Sequence, residues 1–247
     1  MNSQTADLLR RHAEHYETAD FLVGDPSWWM HQVSGAENQE ALAFLASCLS
    51  YGSRKQFMPK IGQMLEWSGG EMHRWIVDGG FEELLPEDDK RCYYRLYTKG
   101  CMNALLRACK CMLKEYGTMG CFVRRNATDG FSALHSLSAY FFSHGASNVV
   151  PKDVTSACKR LCMFLRWMVR DHSPVDLGLW HDFIDKRTLI MPLDTHVMQQ
   201  AVKLGLLSCS TASMSAARRL TASLTEVFPD DPLRGDFALF GYGVEND

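Results

Sequence analysis

Two segments decide how this chain folds: KRLCMFLRWMVR at residues 159–170 and MPLDTHVMQQAVKLGL at residues 191–206. In the first, apolar residues recur at spacings of three and four, which predicts an amphipathic helix over about 156–170. Lys159 lies in its first turn. In the second, Asp194 stands where a carboxylate can accept a backbone N–H two or three residues on and begin another helix. An amine and a carboxylate that each begin a helix form a compact site if the two helix ends face one another.

Each candidate residue has a plain structural interpretation beside the functional one. A lysine in a first helical turn lies at the positive end of the helix dipole, which disfavours its charged form, and an unprotonated lysine is a nucleophile. Taken alone, Lys159 is a solvent-exposed helix residue and Asp194 a helix cap worth about 1 kcal/mol. Arg166 and Arg170 recur almost in line with Lys159, which suits contact with phosphate groups. His196 is a candidate for orienting the aspartate, although a satisfied, buried or half-buried histidine is the plainer expectation.

The rest of the chain is predicted to be all-α. Helical periodicity runs through residues 5–20, 38–50, 101–117, 130–143 and 213–227, and no convincing pair of alternating strands accompanies it. Pro59 is expected in the first turn of a further helix, and residues 69–90 form the least regular part.

A single helical unit is expected over residues 1–247. It would consist of two packed helical subdomains with a cleft between them. Residues 1–37 are expected to form an N-terminal helical extension, and residues 150–206 would hold the first helix, an insert loop and the aspartate-bearing helix.

Composition narrows the classes of protein. The 247 residues are 46% hydrophobic and 22% charged, with a formal net charge of −3, which argues against a generally sticky nucleic-acid binder but permits a local basic face. No apolar run approaches the roughly 18 residues of a membrane helix, and the N-terminus is polar and amphipathic, so we expect a soluble, cytoplasmic monomer. The nine cysteines are scattered on helical apolar faces, and we expect reduced thiols without a cofactor or metal.

One polar loop invites a metal-site hypothesis. Residues 171–186 contain the histidines and aspartates that a carboxylate–imidazole site would use: His172, Asp176, His181, Asp182 and Asp185. Their spacing matches no established ligand motif, so a polar surface insert is favoured. A thiol–imidazole pair of His172 with Cys158 or Cys162 is weaker, because both cysteines fall on the buried face.

The aspartate segment, LIMPLDTHVMQQAVKLGL at 189–206, resembles the aspartate-bearing motif of the helix-hairpin-helix DNA glycosylase superfamily. KRLCMFLRWM resembles the helix that begins with the catalytic lysine in bifunctional members. The 35-residue separation is closer to the archaeal 8-oxoguanine glycosylase branch than to the endonuclease III branch. ALAFLASCLSYGSRKQF at 41–57 is similar to the superfamily's buried early helix. With DFALFGYG at 236–243, the chain also looks like a bacterial family of unknown function near these glycosylases.

The resemblance implies base excision from double-stranded DNA carrying a damaged base or an abasic site. The nucleotide would leave the duplex, Asp194 would stabilise the sugar cation, and Lys159 would attack C1′ to form a Schiff base with lyase potential. Candidate base-pocket aromatics are Tyr51, Trp167 and Trp180, each weighed against an ordinary core role. An oxidised purine is the expected class of lesion.

One departure from the superfamily keeps a second hypothesis open. The superfamily hairpin is usually Gly-x-Gly, whose backbone amides hold a DNA phosphate, whereas residues 153–158 here contain no glycine. The alternative is therefore a non-catalytic nucleic-acid or protein binding module that retains the glycosylase fold.

Overall fold

The computed structural model describes residues 1–208 and 211–246. The α-helices are α1 (Ser3–Tyr16), α2 (Ala36–Leu49), α3 (Arg54–Ser68), α4 (Met72–Asp78), α5 (Lys99–Tyr116), α6 (Met119–Asn126), α7 (Gly130–Ser143), α8 (Lys159–Val169), α9 (Thr195–Lys203), α10 (Met214–Thr225) and α11 (Arg234–Asn246). Short 3₁₀ helices lie at Ala19–Leu22, Pro26–His31 and Lys186–Thr188. Strands β1 (Cys92–Tyr94) and β2 (Tyr97–Thr98) form an antiparallel hairpin. The predicted all-α class is confirmed.

The chain divides into two compact units. The first comprises Met1–Val23, Thr128–Leu134 and Val154–Asp247, and the second comprises Gly24–Ala127 and His135–Asp153. The residues before Gly24 therefore belong with the C-terminal part of the chain, so the predicted extension over residues 1–37 is divided after Val23. Helix α7 begins in the first unit and continues in the second.

The first unit is built around the buried helix α8. Its residues from Leu161 to Val169 are all buried, which includes the predicted apolar face. Helix α11 packs against both α1 and α9. Aromatic rings join the N-terminal segment to α11, with Phe21 and Phe237 at 4.8 Å between centroids. Gly241 permits the close approach of Tyr16, since a Cβ at position 241 would lie 2.2 Å from its ring.

The second unit has α2 at its centre. The helix is buried from Glu40 to Leu49, as its uniformly apolar sequence predicts, and Phe44 stacks on Phe141 with centroids 4.7 Å apart. Glu40 is the buried exception. Its carboxylate accepts the backbone N–H groups of Met119 at 2.7 Å and Gly120 at 2.9 Å, and so caps α6.

Several local predictions are corrected. Helix α3 begins at Arg54, so Pro59 lies inside the helix rather than in its first turn, where it removes one backbone hydrogen bond. Helix α4 lies within the segment predicted to be least regular. Helix α6 and the short hairpin were also missed, because a helix of eight residues and strands of two or three residues leave little periodic pattern. Helix α11 was missed although it has 13 residues.

Among residues 1–208 and 211–246, none of the helices combines the length and the apolar character required to cross a bilayer. The eight cysteines in these ranges are free thiols, and Cys209 lies outside the described residues.

Candidate functional site

Lys159 and Asp194 meet at the surface of the first unit. Lys159 is the first residue of α8 and Asp194 immediately precedes α9. The Lys159 Nζ lies 3.7 Å from the Asp194 Oδ2, and the two side chains are 30% and 39% exposed. The two helix starts therefore face one another, as the sequence analysis required for a shared site, and both groups remain accessible to a ligand.

The two carboxylate oxygens of Asp194 have separate partners. Oδ1 accepts the backbone N–H of Val197 at 2.9 Å, which is the predicted N-cap, while Oδ2 faces Lys159. The backbone leading to the aspartate is also fixed. The Thr221 hydroxyl accepts the Met191 N–H at 3.0 Å and donates to the Ala217 carbonyl at 2.8 Å, which ties this backbone to α10. Capping and packing thus position the carboxylate without occupying both of its oxygens.

The turn before Lys159 has a left-handed residue although it has no glycine. Cys158 has φ 46° and ψ 33°, and its side chain makes no capping hydrogen bond to α8. A non-glycine residue in this region costs roughly 1 kcal/mol. The turn is anchored by the Met214 N–H, which donates to the Thr155 carbonyl at 3.4 Å. The chain therefore reverses through a backbone conformation that glycine would adopt more readily.

Asp236, on α11, adds a second carboxylate beside the pair. It is hydrogen-bonded by the guanidinium of Arg166, and 17% of its side chain is exposed. Burial raises the pKa of the Asp236 carboxyl above its ordinary value; the opposing charge of Arg166, the adverse charge of Asp194 and the opposing charge of Lys159 also act on it. Asp236 could not be recognised from the sequence, since only the packing of α11 brings it close to residues far earlier in the chain.

The predicted phosphate contacts of Arg166 and Arg170 are wrong. The two residues are only 3% and 1% exposed. Asp176, also buried, accepts a hydrogen bond from Arg166 Nε at 3.2 Å and another from Arg170. Burial raises the pKa of Asp176, against the opposing effect of both guanidinium groups. The Arg166 and Arg170 side chains can point inward because carboxylates from other segments neutralise their charge there.

The ion-pair network continues to the N-terminal segment. Arg170 donates to Asp231 from Nε at 2.9 Å and from Nη2 at 2.8 Å, and Nη2 also donates to Glu17 at 2.5 Å. Arg234 Nε donates to the other Glu17 oxygen at 2.9 Å. Burial opposes the ionisation of Glu17, but the two guanidinium groups hold its pKa below its ordinary value. Charged contacts thus join the C-terminal ends of α1 and α8 to the start of α11.

A family model described as a protein of unknown function, DUF2400, matches residues 25–245. The chain belongs to the DUF2400 family. No curated protein and no solved structure matches it. The DUF2400 match includes Lys159, Asp194 and Asp236, whereas α1 and Glu17 lie before its first residue.

Two of the three aromatic residues predicted for a base pocket are buried in the core of the first unit of this DUF2400 protein. Trp167 and Trp180 are 0% and 2% exposed and belong to the core, where Trp180 meets the edge of Phe164 at 5.3 Å between centroids. A base cannot stack on either ring as it stands, so these two predictions are wrong. Tyr51 is half-buried in the second unit, beside Tyr94.

His196 is exposed, which corrects the expectation of a buried or half-buried residue. The Val197 N–H, rather than an imidazole, is the observed partner that orients Asp194.

The polar loop is only partly a surface insert. His172, His181, Asp182 and Asp185 are exposed, as expected, but Asp176 is buried in the ion-pair network. Within the described residues, no group of three or more histidine, cysteine, aspartate or glutamate side chains is arranged to hold a metal ion.

Proposed function

We propose that this DUF2400 protein is a DNA base-excision glycosylase with an associated lyase step. Its substrate would be a damaged base, with oxidised purines the first class to test, in double-stranded DNA. The observation that carries the proposal is the 3.7 Å contact between Lys159 Nζ and Asp194 Oδ2 at the accessible starts of two helices. An amine placed beside a carboxylate is the pair that covalent chemistry at a sugar C1′ requires.

In the first step, the sugar C1′ exchanges its bond to the base for a bond to the lysine nitrogen. Lys159 must lose a proton before its nitrogen can attack, and Asp194 Oδ2 is placed to accept it once the contact tightens on substrate binding. The Nζ–C1′ bond forms while the bond from C1′ to the base breaks. The departing base keeps the electron pair and takes the proton from Asp194, whose restored negative charge then faces the positively charged nitrogen on C1′.

The second step uses the same residues. The nitrogen on C1′ gives up a proton, the bond from C1′ to the ring oxygen breaks as the C1′=N double bond of the Schiff base forms, and the ring oxygen takes up that proton. This imine makes the neighbouring C2′ proton acidic, so that its loss expels the 3′ phosphate and cuts the strand. Asp194 can serve throughout because the Val197 N–H holds its other oxygen in place.

Borohydride trapping on duplexes with an abasic site or an oxidised purine tests the proposal. Reduction of the Schiff base should give a covalent protein–DNA adduct with the wild type and none with Lys159→Ala. Lys203→Ala is the matched control, since this exposed lysine of α9 lies in the same unit and its loss changes the charge equally. The control should form the adduct at the wild-type rate.

A different pattern would overturn the proposed chemistry. If the wild type binds duplex DNA in a salt-dependent manner but releases no base and forms no adduct, the protein is a binding module that retains the helical scaffold. The absence of any salt-dependent DNA binding would exclude both the glycosylase and a DNA-binding module.

A further inference from the structure

The β1–β2 hairpin of the second unit presents an isolated apolar side chain on a held turn. Leu96, at the tip, is 85% exposed. Arg95 beside it has φ 50°, a left-handed conformation that non-glycine residues rarely adopt. Such a conformation persists only where the surroundings hold it.

Tyr51 supplies that support from the end of α2. Its ring lies 5.0 Å from Tyr94 and 5.1 Å from Tyr97 between centroids, and the Arg95 guanidinium lies 5.5 Å above it. Its hydroxyl accepts the Leu96 N–H at 3.4 Å. The tip is therefore braced by contacts to its backbone and to Arg95, while the Leu96 side chain is left projecting into solvent.

Gly52 allows this close packing. It has φ 78°, and a Cβ there would lie 2.5 Å from the Arg95 Nη1 and 3.0 Å from the Tyr94 hydroxyl. Only glycine fits this position without displacing the hairpin.

Basic residues are frequent in the two segments that carry Tyr51 and the hairpin. Residues 50–60 and 90–99 contain seven lysines and arginines and no acidic residue, in a chain whose net charge is −3. The two segments are joined by the Tyr93 hydroxyl, which donates to the Lys60 carbonyl at 2.8 Å. Asp25 and Asp89 approach three of the basic groups: Arg54, Arg91 and Lys99. The remaining four are Lys55, Lys60, Lys90 and Arg95.

We propose that this hairpin surface, defined as Tyr51, Tyr93, Arg95 and Leu96 with Lys60, binds duplex DNA and inserts Leu96 between two base pairs. The choice of DNA rests on the proposed function. Phosphates match the positive charge of Lys60 and Arg95, which lie over the Tyr93 and Tyr51 rings, and a single apolar side chain projecting from a basic surface is suited to entering a base step. A protein partner would fit less well, because protein interfaces are depleted in lysine and use larger apolar patches.

Leu96→Ala tests the insertion step. Because the side chain is exposed, its truncation should leave the fold unchanged. Binding of the full-length protein to a short duplex, measured by fluorescence anisotropy, should weaken about tenfold, the scale of one leucine side chain no longer buried away from water. The salt dependence of binding should not change, and a 2-aminopurine placed in the duplex should no longer brighten on binding. Phe142→Ala, another exposed apolar residue of the second unit, is the matched control and should behave as the wild type.

Arg95→Gly tests the phosphate contact separately. Glycine adopts the positive φ without strain, and the Leu96 N–H can still donate to the Tyr51 hydroxyl, so the turn keeps its backbone support while the guanidinium and its contact with the Tyr51 ring are lost. The slope of the logarithm of affinity against the logarithm of salt concentration is negative and should become less steep by about 0.9, the value for one phosphate contact. Lys114→Ala on α5, outside the surface, removes an exposed positive charge of the same unit and should leave that slope unchanged.

The outcomes separate this inference from the proposed chemistry. If Leu96→Ala binds DNA and brightens 2-aminopurine as the wild type does, the inserted-leucine model is overturned even when Lys159 forms its adduct. If the wild type binds no duplex at low salt, the surface is not a DNA site. If Leu96→Ala weakens binding as expected while no adduct forms with any substrate, the surface stands and the glycosylase proposal fails.

Discussion

At the scale of single residues, the two oxygens of the Asp194 carboxylate have different roles. Asp194 uses Oδ1 to begin α9 and Oδ2 to face Lys159. Most substitutions of Asp194 would remove the helix cap together with the carboxylate that faces Lys159. A loss of activity could then come from a disturbed helix as well as from the missing carboxylate. Asparagine separates the two roles, because it caps helices about as well as aspartate but carries no charge.

Asp194→Asn should therefore retain stability and lose activity. We expect the free energy of unfolding in urea to change by less than about 0.5 kcal/mol. The rate of adduct formation with an abasic duplex should fall by about 100-fold or more, the usual scale for loss of a general base. Asp194→Ala serves as the comparison and should lose about 1 kcal/mol of stability as well. Equal adduct rates in wild type and Asp194→Asn would remove Asp194 from the chemistry.

Residue-level prediction from the sequence succeeded where the deciding interaction is local. The cap at Asp194 spans three residues and could be read directly from the sequence. The exposure of Arg166 and Arg170 could not, because both are amphipathic side chains whose position is set by carboxylates distant in the chain, such as Asp231. Asp236 was missed for the same reason, since only tertiary packing places it beside Arg166.

At the scale of elements, α8 carries the candidate reactive lysine at its start and two buried arginines farther along. Its first residue, Lys159, is half-exposed, whereas Arg166 and Arg170 farther along are buried around Asp176. Two guanidinium groups in a dry interior are stable only with their carboxylates present. The position of α8, and with it that of the Lys159 amine, therefore depends on a loop residue that takes no part in the proposed reaction.

Asp176→Ala should be strongly destabilising. It leaves two buried arginines without their shared partner, and we expect a loss of about 3–5 kcal/mol in the free energy of unfolding. Chemical denaturation followed by circular dichroism gives the measurement. Asp182→Ala in the same loop alters an exposed carboxylate and should change stability by no more than about 0.5 kcal/mol. Similar losses in the two variants would show that the buried network contributes little.

Long amphipathic helices such as α5 and α7 could be predicted because their periodic pattern extends over several turns. Helix α4 has only seven residues, so the same pattern is nearly absent. Helix α11 contains three glycines within its sequence, which lowers its intrinsic helical tendency, and its packing against α1 and α9 overrides that tendency.

At the scale of the whole molecule, the family match and the compact units have different limits. The match begins at residue 25, yet the first unit includes residues 1–23, whose Glu17 binds both Arg170 and Arg234. The segment outside the match thus completes the charge balance inside it. Sequence patterns placed α1 correctly as a helix but assigned it to an extension, since its ionic partners lie more than 150 residues away.

The contribution of Glu17 should depend on pH in a defined direction. Its pKa lies below the ordinary value of 4.5, so its stabilising effect is complete above pH 4.5 and is lost as the pH falls through the lower value of the folded protein. Glu17→Gln should cost about 2 kcal/mol at pH 7. Thermal unfolding of both proteins across pH 3–7 tests this, and the difference should shrink towards the acid end. A constant difference would assign the effect to packing instead of charge.

The hydroxyl of Thr221 has a consequence for how variants of this protein are interpreted. It links the Met191 backbone, three positions before Asp194, to a carbonyl of α10. A shift of α10 would therefore alter the separation of amine and carboxylate while both reacting residues stayed intact. A substitution in α10 that abolishes activity should therefore act by moving the Asp194 carboxylate relative to the Lys159 amine. A second substitution that restores the position of α10 would then restore turnover, although neither reacting residue has changed.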